Sequence, residues 1–387
     1  MNYKRHLETK LKNHFKRYKQ AIVLLGARQV GKTTLLKRVF PDADYLLVDN
    51  EQTKKVLETY DINTYKQVLG NRSQLIIDEL HLLSDPGRAV KIIYDQIEDI
   101  QLIVTGSSAL HIKNKSSESM AGRKLDYKLF PLTFSEYLVQ TEIEDELNFK
   151  ILDNIINEKS AETNIFSASE ILDQILQYGL YPETINLQLQ SQEYLTELAE
   201  SAIFKDIIEL ELIENRGKAK ELLKLLAYQI GNLVNYSEIG ERLSIDRRTV
   251  ERYIDIFEQS YLLYRIYPFS KNKRDEIGKM PKVYFHDLGL RNALIGNFDG
   301  SKLRPDRGAM FENFIISELM KIIAYQGSDY EVNYWRLKNG AEVDIVLSKN
   351  GKIIGIEVKS GSGQISSSFT SRYPNAKTWM VNRENFY

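Results

Sequence analysis

Two groups of residues in this 387-residue chain have the types and spacing to do chemistry. The first is Gly26-Ala27-Arg28-Gln29-Val30-Gly31-Lys32-Thr33, followed by Thr34, which fits G-x-x-x-x-G-K-[ST]. Glycines let the backbone N–H groups of such a loop close around phosphate oxygens, and a following helix adds its positive end. Lys32 would then reach the β- and γ-phosphates of ATP, with the Thr33 hydroxyl on Mg²⁺. Leu75-Ile76-Ile77-Asp78-Glu79 supplies the next parts. Asp78 is placed to hold the water shell of the Mg²⁺, and Glu79 to orient and deprotonate an attacking water, so the pair argues for hydrolysis and not only binding. Thr105 and Ser107 close a third apolar run, where hydroxyls can sense the γ-phosphate or position the water, or simply make a turn. Arg123 is a candidate arginine finger acting on a neighbouring subunit of a homo-oligomer; a surface salt bridge is the other reading.

The second group is Asp344 with Glu357 and Lys359, thirteen and fifteen positions on. If the two segments are strands of one hairpin, period-two alternation puts Glu357 and Lys359 on one face, where Asp344 can meet them. Two carboxylates can bind a hard divalent cation, Mg²⁺ or Mn²⁺, while the ammonium positions or activates a water for phosphodiester attack. Glu312, on the preceding helix, is a further acid in the same half. Taken alone, E-x-K on a strand is a weak pattern.

The elements that must position these residues are legible in outline. Ala21–Leu25 is an apolar run ending at Gly26, as a buried parallel strand would, and similar runs recur at Tyr45–Val48, Leu75–Ile77 and Leu102–Val104. With helical stretches between them, they predict a parallel α/β sheet over about the first 130 residues. Leu7, Leu11, Phe15 and Tyr18 fall at helical spacing, predicting one basic amphipathic helix from Tyr3 to Tyr18. Phe134 to about Gln229 reads as mostly helix, interrupted at Gly179-Leu180-Tyr181-Pro182. Tyr236–Leu243 and Ser244–Tyr253 read as two short helices, then Tyr261–Phe269 as a strand pair. A winged helix-turn-helix has this order, and its second helix would present Arg247, Arg248 and Arg252 to DNA. Asp246, Glu251 and Asp255 dilute that charge, and such modules also bind proteins. Phe311–Tyr325 reads as a helix before a β-rich module over Tyr334–Val358.

Lys and Arg number 52 against 53 Asp and Glu, but the balance is a cancellation. Residues 1–40 carry +10 and residues 136–214 carry −15, which excludes a uniformly basic nucleic-acid coat and suggests several units. The absence of cysteine excludes a disulfide framework, thiolate zinc sites and cysteine nucleophiles. With no apolar run near 18 residues and no secretory signal, the expectation is a cytoplasmic protein without a membrane partner.

The loop motif, Asp78-Glu79, Thr105-Gly106-Ser107-Ser108, Ala121-Gly122-Arg123, Phe130–Tyr137, Gly179–Glu183 and Lys205-Asp206-Ile207 together resemble the prokaryotic AAA+-type ATPases that carry a C-terminal domain of unknown function. The resemblance covers nearly the whole chain. It departs at His81, where that family usually has Gln. The D…E-x-K spacing resembles the PD-(D/E)XK restriction-endonuclease-like fold, whose cores can lose cleavage and keep binding. The expected organisation is a P-loop ATPase core (1–135), a helical lid or linker (136–230), a winged helix (231–275) and a nuclease-like α/β domain (276–387). The expected function is Mg²⁺-dependent ATP hydrolysis acting as a switch or motor for a DNA-binding C-terminal half. The alternative is a regulatory ATPase whose C-terminal modules bind proteins or cap an oligomer.

Overall fold

The computed structural model describes residues 3–70, 72–106, 120–157, 165–187, 190–209, 213–270, 280–359 and 365–387, leaving aside the side chains of 165–169 and 201–209. Ser107 and Ser108 lie outside the described residues, as do the side chains of Lys205 and Asp206.

Five strands form a parallel sheet: β1 (Ala21–Leu25), β2 (Asp44–Leu47), β3 (Gln74–Asp78), β4 (Gln101–Gly106) and β5 (Lys124–Lys128), in the order β2-β3-β4-β1-β5. Every residue of β1 is buried, because the strand lies between β4 and β5 beneath crossover helices. Each large side chain buried there contributes roughly 1.5–3 kcal/mol. The edge strand β5 has no apolar run: Lys-Leu-Asp-Tyr-Lys is only half covered, and its charges protect the sheet edge. The helices of this part are α1 (Leu7–Lys12), α2 (His14–Arg17), α3 (Lys32–Val39), α4 (Glu51–Leu57), α5 (Ile62–Leu69) and α6 (Pro86–Gln96).

The single helix expected from Tyr3 to Tyr18 is instead α1 and α2, broken at Asn13. The Asn13 amide donates to the Thr9 carbonyl at 3.0 Å, and the His14 ring is drawn inward between the Tyr127 hydroxyl (2.8 Å) and the Gln20 carbonyl (2.7 Å). Local side-chain bonding thus competes with the helical ladder.

Helices follow: α7 (Phe134–Gln140), α8 (Lys150–Asn157), α9 (Ile165–Tyr178), α10 (Pro182–Leu187), α11 (Ser191–Glu209) and α12 (Arg216–Tyr228). Then α13 (Tyr236–Leu243) and α14 (Arg247–Gln259) meet at Ser244, which adopts the left-handed conformation (φ 55°). The strand pair expected within Tyr261–Phe269 is corrected: only β6 (Leu263–Ile266) forms there, and its antiparallel partner is β7 (Lys282–Phe285). This small sheet therefore crosses the boundary expected at 275.

After α15 (Leu288–Ile295) and α16 (Arg307–Gln326), a second sheet is built from β8 (Glu331–Arg336), β9 (Glu342–Lys349), β10 (Lys352–Val358) and β11 (Lys377–Val381), with α17 (Ser367–Arg372) before the last strand. Its order is β11-β10-β9-β8, with β9 and β10 an antiparallel hairpin and β11 parallel to β10. One buried apolar cluster runs from Leu7 through the ATPase-type sheet to Val381 and Tyr387. Among the described residues no helix is long and apolar enough to cross a membrane.

Candidate functional site: a nucleotide cleft and an acidic centre

The loop after β1 has little freedom in its composition. A Cβ on Gly26 would lie 2.1 Å from the Leu129 carbonyl oxygen, so only glycine lets the chain leave the sheet there. The Lys32 ammonium is buried and donates to the Gly26 and Ala27 carbonyls at 3.0 Å each, held across the loop it would serve.

Asp78 is the hub of the acid pair. Its Oδ2 accepts from Thr33 Oγ1 at 2.6 Å and from the Tyr45 hydroxyl at 2.5 Å, and its Oδ1 accepts from Thr105 Oγ1. Burial pushes the Asp78 carboxyl up, but donors from Thr105, Thr33 and Tyr45, with the Lys32 charge, outweigh it and hold it below its ordinary value. The carboxylate is thus ionised and oriented, joined to the hydroxyl that the loop motif assigns to a metal. Glu79 follows in the left-handed conformation (φ 56°), uncommon for a non-glycine, and its N–H donates to Thr105 Oγ1 at 3.1 Å. Its carboxylate lies 3.2 Å from His81 Nδ1. Thr105 is fully buried and touches both acids, so it positions them and does not reach the cleft. Arg123 forms a two-pronged pair with Asp95, at 2.7 and 3.0 Å.

The cleft has a volume of 540 Å³, within the range of small-molecule sites. Arg28, Gln29, Gly31, Lys32, Thr33 and Thr34 form one side, with Glu79. The opposite wall comes from residues that motif reading did not place: Tyr3, Pro182, Glu183, Asn186 and Tyr194. The Tyr3 hydroxyl lies 2.8 Å from the Pro182 carbonyl and 2.9 Å from Asn186 Oδ1, and the Tyr194 hydroxyl donates to Gln29 Oε1 at 2.6 Å. Below the loop, buried Arg5 donates to the carbonyls of Val30 (2.9 Å) and Phe130 (2.5 Å) and pairs with Glu136 at 3.1 Å. Glu136 also completes a capping box at the start of α7 and accepts from the His6 N–H at 2.7 Å. Tyr45 and Arg5 carry no motif, and only the arrangement of strands reveals them.

The turn before α10 links this wall to the C-terminal half. Gly179 (φ 73°) sits where a Cβ would be 2.2 Å from Asp287 Oδ1. The Leu180 N–H donates to Asp287 Oδ2 at 2.6 Å, while the Leu180 carbonyl accepts from the Leu132 N–H at 2.8 Å. Asp287 in turn caps α15 through the Leu290 N–H at 2.9 Å.

In the C-terminal half, the β9–β10 register places Ile356 opposite Ile345, which sets Glu357 against Asp344. Lys359 Nζ pairs with Glu357 Oε1 at 2.9 Å, and Asp344 Oδ2 accepts from the Val358 N–H at 2.8 Å. Burial raises the Glu357 carboxyl, with the Asp344 charge adding to it, and burial raises Asp344 as well. Among the described residues Glu357 Oε2 is buried with no hydrogen-bond partner. Glu312 lies in the same acid cluster, where its described contacts are with Tyr284 and Lys282. Its Oε1 accepts from the Tyr284 hydroxyl at 2.5 Å and lies 3.6 Å from Lys282 Nζ, and burial pushes its carboxyl up to about 7. Among the described residues no group of three or more His, Cys, Asp and Glu side chains is arranged to hold a metal ion.

On α14, Asp246 caps the first turn, and Arg247 and Arg248 are exposed beside it. Arg252 pairs with Glu214 at 3.1 Å, and Arg265 of β6 neutralises Asp255 and Glu258 at 2.5 Å each.

Comparison with known proteins agrees with the first half of this arrangement. Residues 18–138 match the model of an AAA domain, while residues 169–301 and 307–383 each match a domain of unknown function, DUF8612 and DUF4143. The parallel sheet and the loop have the P-loop ATPase fold over the residues that match the AAA domain. An uncharacterized protein of Methanocaldococcus jannaschii is 28% identical over 378 residues, covering 90% of this chain and 77% of its own. Another, of Mycobacterium tuberculosis, is 24% identical over 350 residues, covering 88% and 70%. Among solved structures, the Walker-type ATPase of Pyrococcus abyssi is similar over 76% of this chain and 96% of its own, at 15% identity and a TM-score of 0.46.

Proposed function

We propose that the chain is a Mg²⁺-dependent ATP-hydrolysing switch whose C-terminal half binds nucleic acid. The observation that carries the switch is the Gly179–Pro182 turn, bonded at once to the cleft through Tyr3, to the segment between β5 and α7 through Leu132 and to the C-terminal half through Asp287. Residues 26–34 bind the phosphates, Lys32 takes the β- and γ-phosphates, and Thr33 with Asp78 holds Mg²⁺, which supplies charge neutralisation on the phosphates. Glu79 takes the proton from the attacking water, and Thr105 holds Glu79 and Asp78 in place. Ser107, outside the described residues, keeps in this reading the role of sensing the γ-phosphate or positioning the water. Arg123 leaves Asp95 to act on a neighbouring copy. The four units expected from sequence remain the working division, with β7 moved to the winged helix.

The module of α13, α14, β6 and β7 is read as a winged helix that meets a nucleic-acid backbone through Arg247 and Arg248. Two arginines in the first turn of a helix oppose its dipole, which favours a role toward an anion. Asp344 and Glu357 would hold a divalent cation, with Lys359 beside it, in a nuclease-like core. The test is fluorescence anisotropy of labelled DNA with Glu79→Gln, with and without ATP. DNA affinity should change at least fivefold on adding ATP. An affinity unmoved by nucleotide removes the switch, and the absence of DNA binding at low salt favours the second reading, a regulatory ATPase with a protein partner. The ion pairs that occupy Arg252 and Arg265 favour that second reading.

A further inference from the structure

The acidic centre of the C-terminal half already contains a cation supplied by the chain itself. Lys282, the first residue of β7, lies outside the D…E-x-K pattern, yet it is only 3% exposed. Its Nζ is 2.5 Å from Glu342 Oε1 and 3.6 Å from Glu312 Oε1, and it lies 5.5 Å from the centre of the Tyr334 ring. Glu342 precedes Asp344 by two residues on β9, so both project from the same face of the sheet. The ammonium therefore stands on the face where Asp344 and Glu357 face each other, and its charge offsets that of the acid cluster a divalent ion would enter.

We propose that Lys282 is the resident cation of this centre, and that a divalent metal settles on Asp344 and Glu357 only when the Lys282 ammonium is withdrawn. This rests on the reading of Asp344 and Glu357 as a cation site. A tethered ammonium and a divalent ion within one acid cluster repel each other. The device has a natural trigger, because the Lys282 backbone belongs to a different element from the acids it neutralises. It pairs with Ile266 of β6 and bridges to Leu233, whereas Glu342, Asp344 and Glu357 belong to the four-stranded sheet. Because the chain after β6 is bridged to β8 at Pro268 and Tyr334, the movement that would withdraw the ammonium is that of the Lys282 end of β7 away from β9.

The experiment is Mn²⁺ binding followed by electron paramagnetic resonance on the nucleotide-free full chain. Wild type, Lys282→Met and the charge-balanced Lys282→Met/Glu342→Gln variant are each compared with the same protein carrying Asp344→Asn, which subtracts any ion held at the phosphate loop. The balanced variant leaves Glu342 no stranded charge and serves if the single variant fails to fold. The expected result is one Asp344-dependent Mn²⁺ per chain in the Lys282 variants, bound at least tenfold more tightly than any in wild type. Asp344-dependent binding of equal strength in wild type overturns the role of Lys282 and keeps Asp344 as a ligand. No Asp344-dependent binding in any folded variant overturns both.

Discussion

Tyr3 and Pro182 are 179 residues apart in sequence, yet the Tyr3 hydroxyl donates to the Pro182 carbonyl at 2.8 Å on the wall of the nucleotide cleft. The same short turn is bonded two residues earlier to Asp287. If the proposed switch operates, this segment is the route by which a nucleotide against the wall would bias the C-terminal half.

Lys32 and Glu79 should separate binding from turnover. Lys32→Ala removes the lysine that the loop motif requires and should abolish ATP binding in a calorimetric titration. Glu79→Gln should bind ATP normally and lose turnover by about 10²–10⁴-fold, the usual worth of a general base. Equal loss of binding in both would contradict the roles assigned here.

Arg5 should matter to stability more than its place near the start of the chain suggests. Arg5→Ala leaves Glu136 buried without its partner and frees the Val30 and Phe130 carbonyls, at a cost of about 3–5 kcal/mol. Urea unfolding reads this directly, and a loss under 1 kcal/mol would show that solvent replaces the pair.

His286 predicts an acid limb. Burial, with the Lys321 and Lys128 charges adding to it, holds its imidazole down to about 3, against 6.5 in an unfolded chain. The unfolded chain therefore takes a proton that the folded one refuses. The stabilisation is complete above about pH 6.5 and is lost at roughly 1.4 kcal/mol per pH unit as pH falls toward 3. His286→Phe keeps an aromatic ring against Phe130 and Tyr264 and should lack this slope between pH 6.5 and 4.5. Parallel stability curves for the two proteins would place the acid sensitivity elsewhere.

Arg247 and Arg248 should set the salt dependence of nucleic-acid binding. Each phosphate contact removed lowers the slope of log K against log salt by about 1. The Arg247→Ala/Arg248→Ala pair should bind more weakly and with a slope shallower by about 2, whatever the DNA sequence. An unchanged slope would exclude these residues from the interface.

Motifs of strict spacing were the legible part of this molecule. The loop of residues 26–33 and the strand ending at Asp78 lie where their patterns put them, because buried parallel strands demand continuous apolar runs and phosphate loops demand glycine. The β9–β10 hairpin likewise sets Asp344 against Glu357 as alternation implied. What sequence left hidden depends on distant partners. Strand β5 is polar because it is an edge, and β7 is separated from β6 by a long excursion of chain. Tyr45, Tyr194 and Lys282 acquire roles only through neighbours far away in sequence. The contact of Lys282 with both Glu312 and Glu342 likewise carried no pattern in the sequence.

The unbroken apolar cluster from Leu7 to Tyr387 bears on how force travels through the molecule. Bodies that swing freely on a tether meet through small, wet, polar boundaries. Here the two sheets share one dry interior, with Phe134 in edge contact with Tyr387 and its N–H bonded to Glu318 at 2.8 Å. Two sheets packed on one interior are expected to move together more than bodies joined only by a tether.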